Sequence, residues 1–168
     1  FFHPSGRRED TFIAGFSMGG YGALKAALGK PEKYAAVAVL SCVADPVALG
    51  QGGFSAEVTS PADMTGNITR IFGGAEKFYG SDNDLAALLR GLDKTDGPKP
   101  AVFQCCGAED FLLSQNRDLN SLFSREIKTI HHTYREGPGG HNWAYWNRAL
   151  PGVFEFFGFP DKSPLTEA

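Results

Sequence analysis

The run Tyr-Ala-Ala-Val-Ala-Val-Leu-Ser at 34–41 is apolar at every position before its final serine. A strand with one wet face alternates apolar and polar residues. A strand without alternation needs cover on both faces, which is the environment of a parallel sheet between helices. The flanking pattern agrees. Residues 11–15 read as a short strand, and 19–28 as a helix with Tyr21, Leu24 and Leu28 on one stripe, stopped by Pro31. Asp82 can cap a helix bearing Leu85, Leu88, Leu89 and Leu92, which Gly97-Pro98 ends. A strand is expected at 101–106. A helix capped by Ser114 or Asn116 then carries Leu119, Leu122, Phe123 and Ile127, and a fourth strand covers 129–135. A last helix spans 142–157 with a break near Pro151. Strands alternating with helices imply right-handed crossovers and a three-layer αβα fold with about four parallel strands.

The chain has 168 residues, enough for one domain with a sizeable core. Its formal charge is −3, from 16 Lys and Arg against 19 Asp and Glu, which argues against a nucleic-acid partner. At 42% hydrophobic and 21% charged it has a globular composition. No apolar run approaches the ~18 residues that cross a membrane. The odd set Cys42, Cys105 and Cys106 has no metal-binding spacing and reads as packed thiols of a reducing compartment, so the expected location is cytoplasmic. Residues 44–80 look irregular, with Phe54, Phe72, Phe78 and Tyr79 able to form a small cap with an acyl pocket or simply to pack. Residues 159–168 look like a loose tail.

The chemistry centres on Gly15-Phe16-Ser17-Met18-Gly19, a GxSxG. The motif alone is weak evidence, but here it ends a strand and opens a helix, as a nucleophile elbow requires. The glycines permit a sharp turn that lifts Ser17 clear of the sheet. The helix-start N–H of Met18 can then face a developing oxyanion. A serine hydroxyl needs a base. His141 follows the last strand within Gly137-Pro138-Gly139-Gly140-His141, at the strand end where a parallel-sheet site lies. His131 and His132 fall inside the strand and read as structural, and His3 sits at the wrong end of the elbow strand. The base needs an acid, and Gly107-Ala108-Glu109-Asp110-Phe111 follows the third strand. Glu109 and Asp110 both qualify. Asp110 is preferred because it lies deeper in the loop, before Phe111-Leu112-Leu113. Asp45, after the second strand, reads as a turn former. Trp143, Trp146 and Leu150 share a helical face, which favours core over pocket, and Phe16 and Trp143 are the candidates for substrate contact.

Three segments together resemble the "Putative esterase" family of α/β-hydrolases, with its esterase D and tributyrin esterase-like members. They are Gly15 through Lys25 with the preceding Arg8-Glu9-Asp10, Cys106 through Leu112, and Glu136 through Trp143. The likeness runs from about residue 5 to 157. It implies a Ser17-Asp110-His141 triad, an oxyanion site using the Met18 N–H, and no cofactor or metal. Phe16 stands where the family often has Leu, and Asn142 where Asp is common, neither of which touches the mechanism. The family includes xylan-acetyl and feruloyl esterases and, more distantly, mycolyltransferases, so the resemblance does not fix a substrate.

The expected function is therefore a serine carboxylesterase for small or short-chain acyl esters. A thioesterase for S-formylglutathione, an acyltransferase and an inactive truncated domain are the alternatives. Nucleic acid and membrane are not expected partners. The chain opens on Phe1-Phe2-His3-Pro4, and the fold it resembles places several strands before the elbow strand. Residues 1–158 are thus expected to be the C-terminal part of one hydrolase domain, with a missing N-terminal segment as its partner. Such a chain alone is expected to be poorly soluble and nearly inactive, with its elbow strand on an open edge.

Overall fold

A computed structural model describes residues 5–50 and 61–159. The four strands are β1 (Phe12–Phe16), β2 (Ala36–Leu40), β3 (Ala101–Gly107) and β4 (His132–Gly137). They lie in the order β1-β2-β3-β4, and every neighbouring pair is parallel. All five β2 residues are buried, as the unbroken apolar run requires. β1 pairs with β2 on one side and occupies the edge of this sheet.

Helices α1 (Met18–Gly29), α5 (Leu85–Asp93) and α6 (Leu113–Arg125) connect successive strands. Leu24, Leu28, Leu85, Leu89, Leu119 and Phe123 from these helices share one core with Val37, Val39 and Val102 of the sheet. Successive right-handed crossovers that advance in one direction put their helices on one face, which gives this layer. The opposite face carries α7 (Trp143–Phe156), whose Tyr145, Trp146 and Val153 pack against Ala38, Leu40, Phe103 and Cys105. The result is the expected three-layer α/β architecture.

The local expectations fail in instructive ways. Residues 44–80 are not irregular where described: α2 (Pro46–Gly50), α3 (Pro61–Phe72) and α4 (Ala75–Phe78) fall there. Phe72, Phe78 and Tyr79 stack on one another edge to face, and Phe72 also meets Tyr21, so these rings pack together. Phe54, His3 and residues 160–168 lie outside the described residues. Asp84, not Asp82, caps α5, its carboxylate accepting from the N–H groups of Ala86 and Ala87. Neither Ser114 nor Asn116 caps α6, which begins at Leu113. Pro151 does not break α7: the helix runs through it to Phe156. The fourth strand starts at His132, three residues later than the β-branched pattern suggests, so His131 lies outside it.

Candidate active site

The parallel sheet sends the ends of β1, β3 and β4 to one rim, and each end delivers one functional side chain. At the end of β1 the chain turns directly into α1 through Ser17, whose φ is +55° and ψ −128°. A non-glycine residue there is strained, and such strain persists only where the surroundings enforce it. Gly15 makes the turn possible: a Cβ on it would stand 2.2 Å from the Gly19 carbonyl oxygen. A Cβ on Gly20 would meet the Cys42 backbone at 3.3 Å, so that glycine lets α1 approach the end of β2. Gly19 and Gly22 face open space, and packing does not demand glycine there. The Met18 N–H is among the first N–H groups of α1, which have no carbonyl partner within the helix.

After β3, Asp110 is buried while its neighbour Glu109 is exposed. The two loops that follow β3 and β4 touch through bare backbone, since a Cβ on Gly107 would fall 1.9 Å from the Gly139 oxygen. The N–H groups of Ala108 and Glu109 bond the carbonyls of Gly137 and Gly139. The Glu109 carboxylate accepts from the Gly139 N–H. Glu109 thus ties the two loops together, and Asp110 is the carboxylate that reaches the histidine.

His141 bridges the other two residues. Its Nδ1 lies 3.1 and 3.0 Å from the two Asp110 oxygens, and its Nε2 lies 2.9 Å from Ser17 Oγ. Asp110 Oδ1 also accepts from the Leu112 N–H at 2.8 Å. Burial opposes ionisation of Asp110, but hydrogen bonds from His141, Ser41 and the Leu112 N–H, with the attraction of His141, hold its carboxyl below the usual range. A carboxylate on Nδ1 leaves Nε2 free to accept a proton, and the atom it faces is the Ser17 hydroxyl. The arrangement can generate a serine nucleophile beside helix-start N–H groups.

An apolar rim surrounds this line. Phe16 stacks on Trp146 at 4.4 Å and meets Trp143 edge-on at 4.8 Å, while Phe111 lies 4.5 Å from the His141 ring. Trp143 is 61% exposed and Leu150 is exposed, so of the three residues on that helical face only Trp146 belongs to the core. Asp45 caps α2 through the Ala48 N–H and accepts from the Tyr79 hydroxyl. His132 bonds the Gln104 side chain and stacks on Phe123, away from this rim.

Two supports were not anticipated. Ser41, at the end of β2, is fully buried and accepts the Trp146 indole N–H at 3.1 Å. Asn116 is fully buried as well. Its amide donates to the carbonyls of Cys42 and Leu112, and its oxygen accepts from the Cys42 N–H and from Gln104. It fastens the loop that carries Asp110 to the end of β2. The available signal was a polar residue on the apolar stripe of Leu112, Leu119 and Phe123.

A family model described as "Putative esterase" matches residues 3–157. An acetyl esterase from Caldicellulosiruptor saccharolyticus is 34% identical over 150 residues, which are 89% of this chain and 55% of that protein. The crystal structure of an S-formylglutathione hydrolase from Staphylococcus aureus is 31% identical with a TM-score of 0.73. The match covers 91% of this chain and 56% of that one. A fluorophosphonate-binding serine hydrolase of the same organism is also 31% identical, with a TM-score of 0.74 and the same coverage. The chain spans about half the length of these relatives.

Proposed function

Since this chain belongs to the "Putative esterase" family, we propose that the protein is a serine carboxylesterase acting on esters of small acyl groups, with Ser17, His141 and Asp110 as its triad. The observation that carries this reading is the position of His141, within hydrogen-bonding distance of Ser17 Oγ on one side and the Asp110 carboxylate on the other. His141 Nε2 takes the Ser17 proton as Oγ attacks the ester carbonyl. The oxyanion forms beside the Met18 N–H. His141 then protonates the leaving alcohol as the tetrahedral intermediate collapses to acyl-Ser17. Water enters, gives a proton to His141, and attacks the acyl carbon. Collapse releases the acid and returns the proton to Ser17. Asp110 holds the imidazole in the required tautomer and stabilises its charged form throughout.

Phe16, Trp143 and Phe111 offer an apolar seat beside Ser17, suited to a short acyl chain or an aromatic alcohol. A second reading, a thioesterase for S-formylglutathione, is favoured by the 31% identical hydrolase structure. The chemistry at Ser17 is the same, with a thiol as leaving group. The test is a fluorophosphonate probe, followed by turnover of p-nitrophenyl acetate and S-formylglutathione side by side. Ser17 is expected to carry the label, Ser17→Ala to lose it, and the acetyl ester to be the faster substrate. Labelling that survives in Ser17→Ala removes the proposed nucleophile, and faster thioester turnover selects the second reading.

A further inference from the structure

Gln104 lies in the middle of β3, among apolar residues and cysteines, and its side chain is fully buried. It belongs to a series of hydrogen bonds that crosses the core. Its amide nitrogen lies 2.8 Å from the Asn116 main-chain oxygen and 3.1 Å from Asn116 Oδ1, and its amide oxygen lies 3.0 Å from His132 Nε2. A carbonyl oxygen can only accept, so the Gln104 NH2 group must face Asn116. The Gln104 oxygen then accepts from His132, whose Nε2 carries the proton. The Asn116 amide is fixed in the same way. Its NH2 group faces the carbonyls of Cys42 and Leu112 at 3.0 and 2.9 Å, and its oxygen faces the Cys42 N–H at 3.2 Å. The donors of His132, Gln104 and Asn116 thus run in one direction, toward Leu112. The Leu112 N–H continues to Asp110 Oδ1 at 2.8 Å. Bonds aligned in this way polarise one another in a low-dielectric interior.

We propose that Gln104 and Asn116 are positioning residues for the triad acid: from inside the core they hold Leu112 so that its N–H stays aimed at Asp110, with His132 anchoring the far end of the series. This rests on the triad reading above. Leu112 is the residue before α6, and that helix start has no side-chain cap. The Leu112 carbonyl accepts from the side chain of Asn116 and from its main-chain N–H, at 2.9 and 3.0 Å. The residue is buried, so water does not compete for it. The two Asn116 bonds to Cys42, which follows β2, tie Leu112 to the sheet. His132 stacks on Phe123 at 3.9 Å, which fixes the plane of its ring. Stability alone does not call for the two amides. Buried partners replaced together by apolar groups of like shape can leave stability nearly unchanged. Apolar side chains make no directional bond, and direction is what Leu112 needs.

Asn116→Leu cuts the series beside Leu112, and Gln104→Met cuts it one step farther from Asp110 while Asn116 keeps its bonds to Cys42 and Leu112. Both, and the double variant, are made in the full-length enzyme. The readouts are kcat and KM for p-nitrophenyl acetate, and the 15N shifts of the His141 ring nitrogens by NMR on the resting enzyme, at a temperature where melts show each variant folded. Asn116→Leu is expected to lose about tenfold in kcat with KM within about twofold, and Gln104→Met about threefold. The ring-nitrogen shifts move in the same order. Gln104 acts through Asn116, so the double variant loses no more kcat than Asn116→Leu alone. A purely structural role predicts lower melting temperatures with kcat and the nitrogen shifts unmoved, and that result would overturn the proposal. So would a rise in KM at unchanged kcat, or losses in kcat that add. If Asn116→Leu does not fold, Gln104→Met decides alone, and wild-type kcat and shifts in it would overturn the proposal. If wild type turns over no ester or thioester, the esterase reading fails by itself, and the nitrogen shifts still decide whether Gln104 and Asn116 act on the His141–Asp110 pair.

Discussion

Asp110→Asn changes one atom and should abolish turnover through proton placement. The Leu112 N–H donates to Asp110 Oδ1 at 2.8 Å. In the asparagine that backbone donor keeps the amide oxygen at the Oδ1 position, which leaves the NH2 group where Oδ2 now lies, 3.0 Å from His141 Nδ1. A donor there makes Nδ1 the acceptor, so the ring proton moves to Nε2. Nε2 is 2.9 Å from Ser17 Oγ, and an Nε2 that already carries a proton cannot take another from the serine. The expected loss in kcat is on the order of 10⁴, or about 5 kcal/mol of barrier. Side-chain volume hardly changes, so stability should fall by no more than about 1–3 kcal/mol. Turnover of p-nitrophenyl acetate and the fluorophosphonate labelling rate measure the loss, and a thermal melt checks the fold. Glu109→Gln is the control. An amide oxygen can still accept from the Gly139 N–H, so this variant should stay within about tenfold of wild type. An Asp110→Asn enzyme within tenfold of wild type, or a deeper loss in Glu109→Gln, would refute the assignment.

Gly107→Ala sets a Cβ against the Gly139 oxygen with no flexible side chain to give way. It should cost about 10² or more in turnover by moving the His141 loop, and near-normal activity would show that the loops need not touch. Asn116→Leu leaves the Cys42 N–H and the Gln104 amide short of partners in a buried site. A loss of about 2–4 kcal/mol in urea unfolding is expected, and a change under about 0.5 kcal/mol would deny the tie its role. Burial, then the neighbouring His131, holds His132 down at about 4, against 6.5 for an ordinary histidine. A histidine neutral when folded and protonated when unfolded contributes stability fully above about 6.5, and that contribution is lost as pH falls toward 4, up to about 3 kcal/mol. His132→Gln should flatten stability across that window, and an unchanged slope in acid unfolding would assign the loss to other groups.

The sheet was legible because β2 is long enough and apolar enough to have one solution. The meeting of the three loops that carry Ser17, Asp110 and His141 was legible because each lies at the end of a strand, and a parallel sheet gathers those ends at one rim. Choices that depend on tertiary contact were not legible. Asp82 and Asp84 both have the side chain to cap α5, and only the course of the chain from Gly80 decides between them. Pro151 forfeits one backbone hydrogen bond, yet Val153 is buried beyond it and the packing of α7 on the sheet carries the helix through. Residues 44–80 carry glycines at turns such as Gly73 and Gly74, both with φ above zero, and these punctuate short helices rather than prevent them.

Sequence logic also assigned Glu109 and Asp110 by depth in the loop, while the structure separates them by different means. Gly107 brings the β3 and β4 loops so close that their backbones pair, and the first carboxylate after that contact is spent on the Gly139 N–H. The second turns inward, where the Leu112 N–H and His141 meet it. Of the glycines at 137, 139 and 140 around the histidine, Gly139 is the one that the packing demands. At Gly139, with φ +129°, a Cβ would strike Tyr145 at 3.0 Å and the Arg148 guanidinium at 2.9 Å. The loop must fold back over the start of α7 before it presents His141. Glycine in this segment therefore does not loosen His141. It is what allows α7, through Tyr145 and Trp146, to press the loop into the one course that sets Nε2 opposite Ser17.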